Sequence, residues 1–202
     1  MTRCIIIGKT NVGKTLFTIN FAEFLGLKKI NVVLEYHDGS QHSRSYTIRE
    51  ARTYLTDPLP HKTLCLQIVT VNIPKGKGKK KIKLIDTSGL INGIHPDENI
   101  RKAISQTLAN VRTADLILHI VDAAVIPKNG IVETLGEIDY QIAQFGQMKY
   151  GYALLANKMD LPEAERGLDK LREEFKGIYI IPVSALHKQG FNEVKKFVSR
   201  NI

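Results

Sequence analysis

The chain alternates between short apolar runs and stretches whose apolar positions recur at helical spacing. The apolar runs predict six β-strands, at residues 3–7, 64–73, 82–85, 116–121, 152–156 and 178–181. The helical spacing predicts helices over residues 14–25, 97–112, 131–145, 162–176 and 192–198. The run 30–36 fits either a short strand or a passage from helix to loop. Residues 37–62 are polar and show no clean period, which predicts a long functional loop.

The order of these elements predicts the fold class. Strands 64–73 and 82–85 form an antiparallel hairpin, and strands and helices alternate after it. This order is typical of an α/β fold with a mostly parallel six-stranded sheet, one antiparallel edge strand and helices on both faces. No repeat or linker divides the 202 residues, so we expect a single domain over 1–202.

Charge and composition narrow the cellular setting. Six lysines between Lys75 and Lys83 supply most of the net charge of +9, which indicates a polyanionic partner or a merely solvated loop. Cys4 and Cys65 lie in strand-like runs and are expected to be reduced core residues. No apolar run reaches the roughly 18 residues that a membrane span needs, and the apolar run at the start is too short to predict a signal peptide. We therefore expect a cytoplasmic protein.

The segment GKTNVGKT at residues 8–15 matches the phosphate-binding P-loop pattern G-x-x-x-x-G-K-[ST]. A predicted strand precedes it and a predicted helix follows it, as this loop requires. Its backbone N–H groups would surround phosphate oxygens, Lys14 would reach the β- and γ-phosphates, and the Thr15 hydroxyl would bind Mg²⁺. The nucleotide contacts are predicted at Asn11, Val12, Gly13, Lys14, Thr15 and Leu16.

Asp86-Thr87-Ser88-Gly89 follows the second hairpin strand and matches D-x-x-G. A carboxylate at the end of a strand beside a P-loop can hold Mg²⁺ through water, which predicts this role for Asp86. The N–H of Gly89 would bond the γ-phosphate and lose that partner after hydrolysis, as in a nucleotide-controlled switch.

Two later loops predict which base is read. Asn157, Lys158 and Asp160 end the strand 152–156 in an N-K-x-D pattern. The Asp160 carboxylate can accept from the N1–H and the amine of guanine, a donor pair that adenine lacks. Lys158 can lie along the base, and Ser184, Ala185 and Leu186 place small residues near the guanine carbonyl. The ordered motifs predict GTP and GDP as ligands.

These motifs resemble those of the translation-factor-related (TRAFAC) class of small GTPases over essentially the whole chain. GKTNVGKT at 8–15 and the stretch from Asp86 to Ala124 are similar to HflX proteins, and residues 60–64 (PHKTL) resemble a segment of Obg proteins. The Obg resemblance implies that Thr63 is the switch I threonine that binds Mg²⁺. Thr47, Thr53 and Thr56 remain alternatives. The resemblance to the Obg/HflX group also implies a ribosome or other RNA-rich partner.

The predicted activity is slow GTP hydrolysis to GDP and phosphate. Leu90 stands where many GTPases carry a water-orienting glutamine, and some relatives share an apolar residue there. Lys14, Mg²⁺ and backbone N–H groups, including that of Gly89, would then stabilise the transferring phosphoryl group. In relatives with Asn at the Asn11 position, K⁺ adds positive charge, which implies the same role here. A capping role for Asn11 is the alternative.

Two other functions compete with a switch on an RNA-rich assembly. One is a regulator at an anionic membrane surface, and the other is a GTP-binding scaffold that pairs through its switch regions and barely hydrolyses GTP. Residues 75–81 carry no aromatic or long apolar side chain for lipid insertion, which disfavours the membrane. The sequence leaves the oligomeric state open.

Overall fold

A computed structural model describes residues 1–56, 65–90, 96–149 and 151–202. Within these ranges the chain forms one eight-stranded sheet in the order β3-β2-β4-β5-β1-β6-β7-β8. The strands are β1 (Thr2–Ile7), β2 (Lys29–Glu35), β3 (Gln41–Thr47), β4 (Leu66–Lys75), β5 (Gly78–Asp86), β6 (Leu116–Asp122), β7 (Tyr152–Asn157) and β8 (Ile180–Pro182). The helices are α1 (Lys14–Phe24), α2 (Ile48–Leu55), α3 (Glu98–Thr113), α4 (Ile126–Asn129), α5 (Ile131–Gln147, interrupted at Gly136), α6 (Ala164–Glu174) and α7 (Phe191–Arg200).

The sheet divides into a parallel and an antiparallel part. Strands β5, β1, β6, β7 and β8 are parallel neighbours, whereas β4, β2 and β3 extend the sheet antiparallel from β5. All five strands of the parallel part therefore end at the same edge of the sheet. The predicted α/β class with a mostly parallel sheet is confirmed, with eight described strands in place of six.

Strand β3 and helix α2 correct the prediction of a loop over 37–62. The run 30–36, left open between strand and loop, is strand β2, and β3 and α2 lie inside the expected loop. Strand β3 is the sheet edge, and its first five residues are exposed, so it carries no alternating apolar pattern. The one antiparallel edge strand predicted is thus a group of three. The candidate Thr63 lies outside the described residues.

Buried apolar side chains cover both faces of the sheet. On one face, Phe17 and Phe21 of α1 stack with ring centroids 5.4 Å apart and meet Phe191 of α7 edge-on. On the other face, apolar residues of α3, α5 and α6 pack against the sheet. Helices therefore cover both faces of the sheet, as predicted. In the described part of the chain, no helix is long and apolar enough to cross a membrane.

Candidate nucleotide-binding site

The P-loop turns from β1 into α1 through backbone conformations that suit glycine. Gly13, with φ of 100°, caps the N-terminus of α1, and a Cβ there would lie 2.5 Å from Asn157 Nδ2. A side chain at residue 13 would therefore force the loop and the Asn157 loop apart. The resulting loop leaves the first turn of α1 open for an anion, because the helix N-terminus presents unpaired N–H groups.

The buried Lys14 lies across this loop. Its Nζ donates to the carbonyl oxygen of Lys9 at 2.7 Å, and the residue is only 6% exposed. Burial lowers the pKa of Lys14 to about 8, an effect that Asp86 and Asp139 partly offset. A phosphate would give this ammonium group a strong partner.

Thr15 and Asp86 meet beside Lys14. The Thr15 hydroxyl donates to Asp86 Oδ2 at 2.6 Å. Asp86 is fully buried, and its Oδ1 has no hydrogen-bond partner among the described residues. Burial raises the pKa of Asp86 to about 6, although Lys14 and Thr15 counteract the shift. A hydroxyl and an unsatisfied carboxylate oxygen form a donor set of the kind that Mg²⁺ prefers.

The D-x-x-G segment runs alongside the P-loop. The Leu90 N–H donates to the Gly8 carbonyl at 3.1 Å, and Lys9 and Leu90 form a parallel bridge that prolongs the pairing of β1 with β5. A Cβ on Gly89 would lie 2.3 Å from the Thr10 side chain, so the two backbones approach as closely as glycine allows. The Leu90 side chain is buried, and it therefore contributes packing rather than a polar group.

Asn157 joins the P-loop to the loop after β8. Its Nδ2 donates to the Val12 carbonyl at 2.7 Å, and its Oδ1 accepts the Ala185 N–H at 2.9 Å. Asn157 is 2% exposed, so both bonds are shielded from water. Asn157, which was predicted to read the base, thus links the P-loop, predicted to bind phosphate, to the loop at Ala185, predicted to lie near the guanine carbonyl.

The other predicted base-reading residues surround this connection. Lys158, with φ of 68°, forms a 2.5 Å ion pair with Asp122 at the end of β6. Asp160 accepts a hydrogen bond from the Ser184 hydroxyl, and that hydroxyl also accepts the His187 N–H at 3.1 Å. Leu186 is 58% exposed beside them. All described motifs therefore meet at the carboxyl ends of the parallel strands.

Several residues of this region were missed or judged structural from the sequence. Asn20 Nδ2 of α1 donates to the Ala185 carbonyl, and Arg52 Nε of α2 donates to Asn20 Oδ1, each at 2.7 Å. Arg52 and Lys188 both pair with Glu23 of α1. No motif indicates these contacts, because each joins residues that are far apart in the sequence, and those of Arg52 also depend on α2, which the sequence did not predict.

A buried network of polar side chains also lies beside the P-loop. The buried His119 forms hydrogen bonds with Asp139 Oδ1 through Nε2 at 2.8 Å and with the Tyr152 hydroxyl through Nδ1 at 2.9 Å. Lys9 Nζ lies 4.0 Å from Asp139 Oδ2 and donates to the Thr134 carbonyl at 2.7 Å. These contacts fix the outer side of the P-loop against α5.

A sheet of this topology with a P-loop after β1 defines a P-loop nucleotide-binding fold. A sequence model of the family described as "50S ribosome-binding GTPase" matches residues 40–158, more than half of the chain. The chain belongs to this family, and the predicted TRAFAC class is confirmed.

Relatives and solved structures agree with this assignment. The chain is 28% identical over 123 residues to the GTPase Obg of Alkaliphilus oremlandii (strain OhILAs), covering 59% of this chain and 28% of that protein. It is 31% identical over 114 residues to the GTPase Obg of Shouchella clausii (strain KSM-K16), covering 55% and 26%. The matched part of the chain therefore spans little more than a quarter of these relatives.

Two solved structures show the same fold. One is Era in complex with MgGDPNP and nucleotides 1506–1542 of 16S ribosomal RNA, with a TM-score of 0.66 and 18% identity over 99% of this chain and 56% of that one. The other is the FeoB G-domain from Methanococcus jannaschii, with a TM-score of 0.56 and 21% identity over 100% of this chain and 98% of that one.

Proposed function

We propose that this chain binds GTP and GDP, hydrolyses GTP, and acts as a nucleotide-controlled switch on an RNA-rich assembly such as the ribosome. The observation that carries the proposal is the position of Asn157, whose side chain bonds both the P-loop and the loop at Ala185. One buried amide thereby holds a phosphate-binding loop and a candidate base-reading loop in fixed relation. A nucleotide that contacts both loops is the ligand that fits this arrangement.

Guanine selectivity is assigned to Asp160. Its carboxylate already accepts from Ser184, and a carboxylate can accept further bonds from two adjacent base donors. Adenine offers no such donor pair, so ATP binding would leave the carboxylate desolvated and unpaired. The ion pair with Asp122 directs Lys158 along one side of the same region. Ser184, Ala185 and Leu186 complete the base site.

The phosphates are assigned to the P-loop residues 11–16. Lys14 would exchange the Lys9 carbonyl for phosphate oxygens, and Thr15 with Asp86 would hold Mg²⁺. Bound Mg²⁺ supplies positive charge against the phosphate oxygens. Asn11 is the candidate side-chain ligand for K⁺, and Thr63 remains the candidate switch I threonine.

Hydrolysis rests on charge stabilisation rather than on a water-orienting glutamine. Leu90 is buried, so its side chain has no polar contact to offer an attacking water. Lys14, Asn11 and the Gly89 N–H are the groups assigned to the transferring phosphoryl group. Because the Gly89 backbone lies against Thr10, a γ-phosphate contact at Gly89 would alter its packing on the P-loop. We therefore expect slow basal turnover and a switch response in this segment.

The partner is inferred from family and charge. The related proteins named above include Obg GTPases and Era bound to ribosomal RNA, and the matching family is described as ribosome-binding. The lysines of the β4–β5 hairpin, Lys75 to Lys83, are exposed in the structure. The hairpin turn begins β5 and Asp86 ends it, so about 26 Å of strand separates the turn from the phosphate site. RNA could bind the hairpin without touching the nucleotide.

Phosphate release from GTP tests the activity. We expect slow, Mg²⁺-dependent release by the native chain and at least a roughly 100-fold loss in Lys14→Ala. Lys170→Ala, which removes an exposed lysine of α6, is the matched control and should retain the native rate. No release above the uncatalysed rate, or equal rates for native protein and Lys14→Ala, would contradict the proposal.

A further inference from the structure

A second concave surface lies at the opposite end of the sheet from the nucleotide site. It is a cleft of about 540 Å³ where the end of α5, the start of β7, the segment before β8 and the end of α7 come together. This volume lies in the range of small-molecule and nucleotide pockets. Nothing in the assignment of the nucleotide site uses it.

Among the described residues that line the cleft, three are cations and none is a carboxylate. Its charged lining residues are Lys149, Lys176 and Arg200. Lys149 Nζ is engaged by carbonyl oxygens at the end of α3, including that of Ala114 at 2.8 Å. Lys176 and Arg200 are exposed and form no ion pair within the described ranges. The pKa of Glu193 is lowered first by a hydrogen bond from Tyr179 and then by the charges of Lys196 and Arg200, so this carboxylate partly balances Arg200. Lys176 is the fuller positive charge that the cleft offers to an anion.

An aromatic ring forms one part of the wall. Tyr179 lines the cleft and is 44% exposed, and its ring stacks on Phe197 with centroids 5.6 Å apart. Its hydroxyl donates to Glu193, which does not line the cleft. The ring is thus held from one face and from its hydroxyl end. An exposed aromatic ring beside exposed cations is the combination with which proteins bind the base and the backbone of single-stranded nucleic acids.

The cleft adjoins the basic hairpin. Lys75 Nζ donates to the Ser199 carbonyl at 3.1 Å, and the Ser199 hydroxyl donates to the Pro74 carbonyl. Ser199 is followed directly by Arg200 and Asn201, both of which line the cleft. The hairpin turn and the cleft therefore form one continuous surface, which consists of residues 75–83 together with Lys176, Tyr179 and Arg200.

We propose that the cleft takes one unpaired nucleotide of a single-stranded RNA, whose strand continues over the lysines of the hairpin. The base stacks on Tyr179, and Lys176 and Arg200 contact the flanking phosphates. This inference rests on the proposed function, since it names the RNA site of the same switch. A concave cleft with a restrained ring favours an unstacked base over a lipid surface, which would call for protruding apolar side chains.

Fluorescence anisotropy with a labelled single-stranded RNA of about 12 nucleotides tests the cleft, with the GDP-bound chain at several salt concentrations. We expect Lys176→Ser with Arg200→Ser to reduce the slope of log affinity against log salt by about 1.4, or 0.7 per lost phosphate contact. Arg166→Ser with Lys170→Ser removes two exposed charges of α6 outside the cleft and is the matched control, with a nearly unchanged slope.

The contribution of the Tyr179 ring to RNA binding is tested separately from that of the charged residues. Tyr179→Ala should weaken binding by about fivefold or more, whereas Tyr179→Phe keeps the stacking surface and should bind like the native protein. Double-stranded RNA should compete less well, because its bases are already stacked. Equal circular dichroism spectra and melting temperatures would show that the variants fold.

The outcomes separate the inference from the proposed function. A hairpin variant in which Lys77, Lys79, Lys80 and Lys81 are all changed to Ser is measured in the same assay. If the native chain binds RNA, this variant binds it more weakly, and the cleft variants match their control, the cleft is overturned and the RNA-directed switch stands. If the native chain binds no RNA even at low salt, or binds only vesicles containing phosphatidylserine, the RNA partner and the cleft both fail. GTP binding is measured independently and would survive either result.

Discussion

Replacing the buried carboxylate Asp86 should stabilise the nucleotide-free protein at neutral pH. Burial raises the pKa of Asp86 from 3.8 to about 6, even with the attraction of Lys14 included. The folded state therefore binds a proton more tightly than the unfolded state does. The favourable contribution of this group is fully present below about pH 4 and is lost as the pH rises through about 6. A shift of about two units corresponds to roughly 3 kcal/mol.

Urea denaturation of native protein and Asp86→Asn, without nucleotide and with Mg²⁺ chelated, measures this difference. The variant should gain about 1–3 kcal/mol in the free energy of unfolding at pH 7.5, and the gain should vanish near pH 4. Taking the difference between the two proteins at each pH cancels the titration of other groups. The same variant should bind Mg²⁺–GTP more weakly. A variant that is less stable than the native protein at pH 7.5 would refute the reasoning.

Three further predictions concern single side chains. Asn157→Ala should lower the free energy of unfolding by about 2–6 kcal/mol in urea denaturation, since it leaves the Val12 carbonyl and the Ala185 N–H buried without partners; an unchanged midpoint would contradict this. GTP hydrolysis should be faster in K⁺ than in Na⁺ at equal ionic strength, and Asn11→Ala should remove the difference while still binding nucleotide. Leu90→Ala should lower the free energy of unfolding by about 2–5 kcal/mol, because the side chain is buried. The variant should nevertheless retain more GTPase activity than Lys14→Ala in the phosphate-release assay. The opposite order of activities would show that Leu90 acts in the chemistry.

The sequence predicted the parallel part of the sheet and the loops at its carboxyl ends. Buried strands such as β6, with all seven residues buried, read as continuous apolar runs. The P-loop follows β1, and the D-x-x-G and N-K-x-D patterns begin at the last residues of β5 and β7. The final residues of all three strands are buried, although the first half of β5 is exposed. Parallel strands end at one edge, so the order of motifs was enough to place them together.

The antiparallel pairing of β4 with β5 was predicted as a hairpin, but strand β3 at the sheet edge could not be predicted from apolar periodicity. Strand β3 exposes its first five residues, and its hydrogen bonds to β2 leave no trace in the hydrophobic pattern. Helix α2 did carry a local signal, because Thr47 and Glu50 form a capping box that the T-x-x-E spacing encodes. The residues around this spacing are polar and show no apolar period, so the spacing alone did not predict α2.

The contacts between motifs could not be predicted from the sequence either. The N-K-x-D pattern predicts base reading for Asn157, but its bonds to Val12 and Ala185 arise from how three loops meet in space. The same holds for Asn20 and Arg52, whose chain to the Ala185 carbonyl crosses from α2 through α1. Side-chain bridges of this kind depend on tertiary distances that spacing does not encode.

Competition between guanine and adenine nucleotides tests the central claim most directly. The native chain should bind GDP at least about 100-fold more tightly than ADP, because only guanine offers Asp160 two adjacent donors. Asp160→Asn should shift the preference toward xanthosine diphosphate, whose base presents a carbonyl where guanine has its amine. Equal affinity of the native chain for GDP and ADP would contradict the assignment of a guanine nucleotide switch.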